Sequence, residues 1–331
     1  MMPSTANNAS LLFVNYHYIR DPAQYKHPGI HPISPDAFAA QVDWLSDRFH
    51  MATPAEAEAF VWGESTLSSD SVVLTFDDGL TDQYEVAVTV LDPRGIKGVF
   101  FVTSQPLTDG HANTLQKMHW LRATTKPDTF QNQLFEQLPL AWRDRIGKPD
   151  AKGAAERIYI YDTPEVGRVK YLINFILPDT LADEISSAML LDRGIVEADF
   201  CAATYMREEH VRNLHQTGHM IGAHGHRHIP FTRIPEGDSM EIEENISTLT
   251  AITSVKPAWV SYPFGRDWAV PADPEKFCRR YRFRIGLSLN VGWNSDTESP
   301  FLLNRVNTNE VEAIADERFP EATGPHPIGA H

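Results

Sequence analysis

Short apolar runs recur along the chain, separated by polar stretches that contain turn residues. The runs are rich in β-branched and aromatic side chains, which is typical of strands buried on both faces of a sheet. Because stretches of helical character lie between them, the pattern predicts an α/β fold in which parallel strands alternate with helices. The predicted strands are residues 11–16, 72–76, 98–103, 220–223, 258–262, 283–289 and 302–306.

Residues 104–203 interrupt this alternation. They carry apolar positions at helical spacing, among them Phe130, Leu134 and Leu138, and prolines that end one helix and start the next. We interpret the segment as a helical insertion that either caps a site or forms a surface for homo-oligomers. The predicted organisation is a first part of the barrel (1–103), the insertion (104–203), a second part of the barrel (204–318) and a tail (319–331).

Composition narrows the classes of partner. The chain has 331 residues and a net charge of −15, which argues against nucleic acid or an anionic membrane surface as the main partner. Two cysteines do not make a disulfide framework, and no apolar stretch reaches the length of a membrane span. The first eight residues lack the basic and apolar regions of a secretory signal. These features predict a cytoplasmic protein.

The first chemical motif is a pair of carboxylates, Asp77 and Asp78, that ends the apolar run beginning at Ser71 and precedes Gly79. Unpaired charge at the end of a buried strand is costly without a cation or a proton. Since neighbouring side chains on a strand point to opposite sides, one carboxylate can bind a metal while the other handles a proton. The alternative is ordinary turn and helix-capping chemistry.

The second motif places His224, His226 and His228 at alternate positions after an apolar run. The spacing of four between the first and last brings two imidazoles to the same side of a helical turn or tight loop. With one aspartate they would leave coordination positions open for water and substrate. The alternative is a solvated histidine-rich loop.

The third motif, Ser261 to Gly265, follows another apolar run, and its Pro263 and Phe264 set a rigid turn whose amides can face a ligand. Taken in this order, the three motifs resemble the polysaccharide deacetylase family, the NodB-like carbohydrate esterases of family 4. The resemblance extends from about Leu11 to Val306 with one large interruption. It implies an irregular (β/α) barrel of about seven strands.

The resemblance also implies residue roles. Asp77 would be the general base, and Asp78, His224 and His228 would bind a divalent metal, for which zinc is expected and cobalt, nickel or manganese are alternatives. The backbone N–H of Phe264 would donate to the oxyanion. The other residues expected to bind substrate are Tyr262, Pro263, Gly265 and Trp293, the last by stacking on a sugar ring, although a large aromatic is also common in a core.

The chain departs from the family at two positions. The arginine that holds the catalytic base in many members is replaced by Ser261, and no late Leu-x-x-His segment follows Leu302. The assignment of the general acid, which protonates the leaving amine, therefore stays open. A Tyr16-His17 pair ends the first apolar run and resembles the start of one branch of the family, so His17 is a candidate, against the alternative of a structural histidine.

These observations predict a metal-dependent hydrolase that removes an N-acyl group, N-acetyl above others, from an amino sugar in polysaccharide or glycoconjugate biosynthesis. One alternative is a related hydrolase for a formamide, a cyclic amide or an O-acyl ester, because such variants use the same barrel. A second alternative, motivated by the missing arginine and histidine, is a non-catalytic sugar-binding protein.

Overall fold

A curved parallel sheet forms the centre of the molecule. The computed structural model describes residues 9–21, 32–146, 164–235 and 237–316, together with positions 153 and 155. Within this part of the chain the strand order is β7-β6-β5-β4-β3-β1-β8, with β2 beside β3, and every pairing is parallel. The strands are β1 (Leu11–Tyr16), β2 (His50–Met51), β3 (Ser71–Asp78), β4 (Val99–Val102), β5 (Met220–Ala223), β6 (Trp259–Ser261), β7 (Ile285–Leu287) and β8 (Val306–Asn307).

The last part of the chain brings the two edges of the sheet together. Leu303 bridges to Leu287 in β7, and three residues later Val306 pairs with Val14 in β1. The sheet therefore curls into an irregular barrel. This confirms the predicted α/β fold class, and each of the seven predicted runs contributes to the sheet.

Side-chain alternation along the strands divides the core in two. In β3, Val72, Leu74 and Phe76 pack in the layer between sheet and helices, whereas Val73 packs with residues from β1, β4, β6 and β7. The second group comes from strands around the whole sheet, so it fills the inside of the barrel. Asp77 lies four residues after Val73 on the same strand, so its side chain is on the same face and points to the inside of the barrel.

Helices connect the strands, and several begin at the signals visible in the sequence. Ser34 Oγ accepts a hydrogen bond from the Ala37 amide at the start of α1, and Thr53 and Glu56 form a capping box at α2. No helix in the described ranges is both long and apolar enough to cross a membrane. The helices are α1 (Pro35–Ser46), α2 (Pro54–Val61), α3 (Thr81–Val86), α4 (Gln105–Thr108), α5 (Thr114–Ala123), α6 (Pro127–Gln137), α7 (Leu140–Ile146), α8 (Pro164–Tyr171), α9 (Asp179–Leu191), α10 (Glu197–Thr204), α11 (Glu208–Gln216), α12 (Met240–Thr253), α13 (Pro274–Tyr281) and α14 (Val311–Asp316).

Helices α4 to α10 lie between β4 and β5, in the segment predicted as an insertion. They have an apolar core of their own, in which Phe130, Leu134 and Leu138 are buried with Ile185 and Met189. Most of residues 147–163, and the whole predicted tail 319–331, lie outside the described residues.

Candidate metal centre

The motif residues meet at the carboxyl ends of neighbouring strands. In the register of the sheet, Asp78 pairs with Val102 in β4, which in turn pairs with Ala223 in β5. His224 follows directly, so strand register alone places it beside Asp78. This edge of a parallel barrel is where loops gather to form sites.

Asp78, His224 and His228 converge on one point. Asp78 Oδ1 lies 3.4 Å from His224 Nε2 and 3.3 Å from His228 Nε2, and one donor atom from each residue lies within 4.8 Å of the others. All three side chains are buried. The donor set of one carboxylate and two imidazoles suits a divalent cation.

Hydrogen bonding fixes the orientation of these groups. His224 Nδ1 lies 2.8 Å from the Ser261 carbonyl oxygen and donates to it, which leaves the lone pair of Nε2 directed at Asp78. Asp78 Oδ1 and His224 Nε2 are buried and have no hydrogen-bond partner among the described residues. Buried polar atoms are normally paired, so these two fit a cation bound between them.

The charge states of Asp78 and His228 fit the same interpretation. Burial raises the pKa of Asp78, but the neighbouring histidines outweigh burial and hold it well below its usual range. Burial lowers the pKa of His228 to about 4. At neutral pH the centre therefore contains an ionised carboxylate and a neutral His228, which are the forms that bind metals.

The backbone is strained at this centre. Asp78, His228 and Phe264 have φ angles of 82°, 60° and 65°, in the left-handed region that residues with a Cβ rarely adopt. Such strain is tolerated where surrounding structure enforces it, and it gathers at functional sites. All three residues belong to the predicted motifs.

Asp77 is held by an arginine that sequence reasoning missed. Arg305 Nη1 donates to Asp77 Oδ1 at 2.9 Å and Nη2 donates to Oδ2 at 2.8 Å, in a buried bidentate pair. Ser261 Oγ joins them by donating to Asp77 Oδ2 at 3.1 Å. Burial raises the pKa of Asp77, but Arg305 and His224 outweigh it, so the pKa lies below its usual value. The cation absent at position 261 is thus supplied from just before β8.

The helical segment contributes a second missed contact. Gln116 in α5 donates from Nε2 to Asp78 Oδ2 at 2.7 Å. The two oxygens of this carboxylate therefore differ, because Oδ2 accepts from Gln116 and Oδ1 faces the two histidines. Tyr205 OH donates to Gln116 Oε1 at 3.1 Å and accepts from the Asn113 amide at 3.1 Å. All of these side chains are buried. Second-layer contacts of this kind orient metal ligands.

A cavity of about 290 Å³ opens over the centre. His17 follows β1 and lines it, as do Asp77, His224 and His228. Half of the lining residues belong to the helical segment, so that segment forms one wall of the cavity. The lining from the segment is Thr114, Leu115, Met118, His119, Arg122, Lys170, Ile173, Asn174, Asp179 and Ala182.

Of the third motif, only Phe264 lines the cavity, where its ring centroid lies 5.0 Å from that of His228. Tyr262 was expected to bind substrate, but its ring is buried in the core and its OH donates to the Phe301 carbonyl at 2.7 Å. Gly265 has a φ of 58°, and an added Cβ would come within 2.7 Å of the Leu289 amide nitrogen. Tyr262, Pro263 and Gly265 therefore shape the turn rather than line the cavity.

Trp293 does not lie at the cavity. Its neighbour Asn294 bridges to Leu11, the first residue of β1, which places Trp293 at the amino ends of the strands. Its Nε1 donates to the Ile314 carbonyl at 3.2 Å, and its ring lies 5.5 Å from that of Phe49. The expectation of sugar stacking is wrong, because the chain after β7 returns to the opposite end of the barrel.

Comparison with known proteins agrees with the motifs. The sequence model of the family described as polysaccharide deacetylase matches residues 64–121 and 187–274, which include all three motifs. YxkH of Bacillus subtilis (strain 168), which carries a polysaccharide deacetylase name, is 34% identical over 82 residues. That alignment covers 24% of this chain and only 29% of the length of YxkH.

Two solved structures share the fold. IcaB from Ammonifex degensii aligns over 93% of this chain and 96% of its own, with a TM-score of 0.56 and 18% identity. The deacetylase PplD of Streptococcus pyogenes aligns over 93% and 99%, with a TM-score of 0.55 and 15% identity. Fold and motifs together define a deacetylase-type barrel. In the matched segments the chain is similar to the polysaccharide deacetylase family, and it shares the fold of these solved structures.

Proposed function

We propose that this protein is a metal-dependent hydrolase that removes an N-acyl group, N-acetyl above others, from an amino sugar. The observation that carries the proposal is the convergence of Asp78, His224 and His228 beside an ionised Asp77 at the floor of a cavity. The family match supplies independent support for deacetylation.

Asp78, His224 and His228 would hold the divalent ion. Two nitrogens and one carboxylate suit zinc, while cobalt, nickel and manganese accept the same donors. When bound, such an ion polarises the acyl carbonyl and lowers the pKa of bound water towards about 7. Gln116 would keep the Asp78 carboxylate in the orientation that directs Oδ1 at the ion.

Asp77 would act as the general base and take a proton from the attacking water. Arg305 supports Asp77 as a base in two ways. Its two parallel hydrogen bonds orient the Asp77 carboxylate, and its positive charge keeps that carboxylate ionised. The Phe264 amide is the candidate donor to the oxygen on which negative charge develops, and one such donor is typically worth about 3 kcal/mol.

The leaving amine must receive a proton, and two groups at the cavity can deliver it. Asp77 can return the proton it has taken, or His17 can supply one. The variant His17→Ala separates them. If His17 is the donor, kcat falls while metal content is unchanged; an unchanged kcat in a folded variant assigns the proton to Asp77.

The structure also bears on the non-catalytic alternative. That alternative was motivated by the missing late histidine and by Ser261 standing where relatives carry an arginine, and the structure bears on the second of these. Arg305 supplies the missing cation, and Ser261 hydrogen bonds to both Asp77 and Arg305. A sugar-binding protein without chemistry has no need of a buried, oriented carboxylate next to a metal ligand.

The proposal is tested by a panel of acylated substrates assayed before and after metal removal. The panel contains N-acetyl amino sugars, a sugar formamide, a cyclic amide and an O-acetyl sugar. We expect acetate release from an N-acetyl amino sugar that stops with a chelator and returns with zinc, cobalt, nickel or manganese. Full activity after exhaustive chelation, or preference for another acyl compound, contradicts the proposal.

A further inference from the structure

One histidine of the helical segment lines the cavity together with residues of the barrel. This residue is His119 on α5, and it belongs to none of the three sequence motifs. The same cavity is lined by His17, Asp77 and His228. The His119 side chain is half-buried, and its Nδ1 lies 3.1 Å from the Tyr18 hydroxyl. One ring nitrogen is therefore held by the protein, which raises the question of what the other one binds.

Helix α5 places His119 next to the metal centre. Gln116, one helical turn earlier, donates to Asp78 Oδ2 at 2.7 Å. Residues three apart on a helix are neighbours on its surface, with Cβ atoms about 5–6 Å apart. Burial lowers the pKa of His119, and the charge of Asp78 is close enough to act on that pKa in the opposite direction. The His119 ring therefore lies about one helical turn from the contact with Asp78.

The chain after β1 holds His119 from a second direction. The Gln83 side-chain amide donates to the carbonyl oxygens of His17 and Asp77, at 3.0 and 2.5 Å, so these two residues lie side by side. Tyr18 comes next in the chain, and its hydroxyl reaches His119. Contacts from α5 and from the ends of β1 and β3 thus fix His119 on the part of the wall that adjoins the two carboxylates.

Tyr18 determines which nitrogen of His119 carries the proton. Tyr18 is buried, and its hydroxyl has no other partner among the described residues. If the proton were on His119 Nδ1, the Tyr18 hydroxyl would accept it and its own hydrogen would have no acceptor, which is costly for a buried donor. Tyr18 therefore donates to Nδ1, and the proton of the neutral ring is on Nε2.

His119 Nε2 is available to a bound molecule. This atom has no hydrogen-bond partner in the described part of the chain, yet it is not shut off from solvent as His224 Nε2 is. Burial, aided by the charge of Arg122, lowers the pKa of His119 to about 3, so the ring is neutral at physiological pH. A neutral ring donates a hydrogen bond readily but is a poor source of a proton for an amine.

We propose that His119 recognises the sugar ring of the substrate, by donating a hydrogen bond from Nε2 to a hydroxyl oxygen on a ring carbon next to the acylamino carbon. The inference rests on the proposed function and adds a specificity-determining residue to it. Substrates that carry such a hydroxyl beside the acylamino group are then preferred over acylated amines that lack it.

The other acceptors near the metal centre suit this donor less well. In the proposed function, the acyl oxygen is engaged by the ion and the Phe264 amide. The amide nitrogen shares its lone pair with the carbonyl, so it is a poor acceptor. The hydroxyl oxygens beside the acylamino carbon are the next acceptors along the sugar. The turn from Gln116 to His119 advances about 4.5 Å along α5, which is on the scale of the few bonds between the acyl carbon and these oxygens.

The test uses the metal-loaded enzyme and the N-acyl amino sugar that it turns over fastest in the panel above. That sugar is compared with deoxy analogues, each of which lacks one hydroxyl beside the acylamino group. For the wild type, we expect kcat/KM to be about threefold to tenfold lower for one analogue, the usual effect of losing one hydrogen bond. In His119→Phe, which keeps a flat ring without an N–H, the ratio of parent to analogue should fall towards one.

Two further variants separate a hydrogen bond to the sugar from a structural effect. His119→Gln keeps an N–H donor on a side chain of similar reach, so it should retain part of the ratio. Tyr18→Phe removes the hydroxyl that fixes the proton on Nε2, so it should lower the ratio while His119 itself is unchanged. Each variant should bind one divalent ion as the wild type does, because neither residue is a metal ligand.

The control variant is His210→Phe in α11. His210 is also half-buried and also contacts a tyrosine, since its ring stacks on Tyr84 with centroids 4.3 Å apart, but it does not line the cavity. It should keep the wild-type ratio. A wild-type ratio near one with both analogues, or a ratio that His119→Phe leaves unchanged, overturns the inference and leaves the deacetylase proposal intact. Loss of metal from His119→Phe also overturns it, because the ring would then support the metal centre.

If the panel finds no substrate, the deacetylase proposal fails, and two measurements without turnover still test the inference. Heteronuclear NMR of the zinc-loaded protein locates the proton on the His119 ring; a proton on Nε2 at neutral pH supports the inference, and a proton on Nδ1 or a charged ring overturns it. Calorimetry with N-acetylglucosamine measures binding. Affinity that falls about threefold to tenfold in His119→Phe supports the inference, whereas no binding, or equal binding by both proteins, overturns it.

Discussion

The barrel and the helical segment build the same cavity by different means. In the barrel, Asp77 and Asp78 end β3 and His224 directly follows β5, so the register of the strands fixes their positions. Asp77 points inward because Val73, four residues earlier on the strand, does. In the helical segment, the contribution comes from polar side chains on helix faces, such as Gln116 and Arg122. Strand ends thus provide the chemistry, while helix faces provide its support and one wall.

The two regions also bury charge differently. In the barrel, Arg305 and Asp77 form a pair that is almost completely shielded from solvent on both sides. In the helical segment, Lys117 is fully buried, but its partners Asp183 and Glu197 are 30% and 21% exposed. Lys117 holds α5, α9 and the start of α10 together. The Arg305–Asp77 pair is therefore excluded from solvent, whereas the carboxylates that bind Lys117 remain in contact with water.

The largest effect is expected from the barrel histidines. We expect His224→Ala to abolish metal binding and essentially all turnover, because it removes one of three converging donors. Elemental analysis of tag-free protein should give one divalent ion per wild-type chain and none in the variant. The matched control is His226→Ala, since that ring pairs with Ser104 Oγ at 2.9 Å outside the cluster. Equal metal content in all three proteins would refute the assignment.

The adjacent carboxylates should separate by role. Asp77→Asn should retain the metal and lose about 10²–10⁴-fold in kcat, the usual contribution of a general base. Asp78→Asn should instead lose the metal, because Asp78 supplies a ligand atom. Metal content and kcat measured on both variants decide the point. Two variants with the same metal content would show that the proposed division is wrong.

Much of the barrel could be predicted from the sequence, for a physical reason. Strands buried on both faces must be apolar along their whole length, and all eight residues of β3 are buried, its two terminal carboxylates included. Ionisable residues in such a strand stand out because they interrupt its apolar sequence. Asp77 and Asp78 stand out in this way, and the apolar run 302–306 predicts the last strand of the sheet.

The contacts that the sequence did not reveal are all long-range and polar. Arg305 meets Asp77 only because the barrel closes, which brings positions 228 residues apart into contact. Gln116 is an ordinary helix-forming residue, and nothing in its local pattern distinguishes a buried partner from solvent. Trp293 was misplaced for the same reason, because local pattern does not show to which end of the barrel a loop returns.

Removing a buried cation should cost more in the barrel than in the helical segment. Arg305→Met leaves Asp77 buried without its cation, and such losses typically lower the free energy of unfolding by about 3–5 kcal/mol. Lys117→Met should cost less, about 1–3 kcal/mol, since water reaches Asp183 and Glu197. Urea unfolding of both variants measures the difference. If both variants lost the same free energy of unfolding, the solvent exposure of the carboxylate partners would not determine the loss.

The smallest effect tests whether the helical segment contributes to the metal centre at all. Gln116→Met keeps the length of the side chain but removes the amide that donates to Asp78 Oδ2. Losing a second-layer partner of a metal ligand typically weakens metal affinity by about 10–100-fold. We therefore expect weaker binding in a competition assay against a chelator, and turnover that is restored by excess metal.

The matched control is Gln137→Met in α6, whose amide donates to Asp192 at the protein surface. It removes the same group from the same segment, so it should leave metal affinity unchanged. If Gln116→Met also binds metal as the wild type does, the barrel alone sets the affinity. The helical segment would then serve only as a wall of the cavity, and Tyr205, which donates to Gln116 Oε1, would have no role in orienting Asp78.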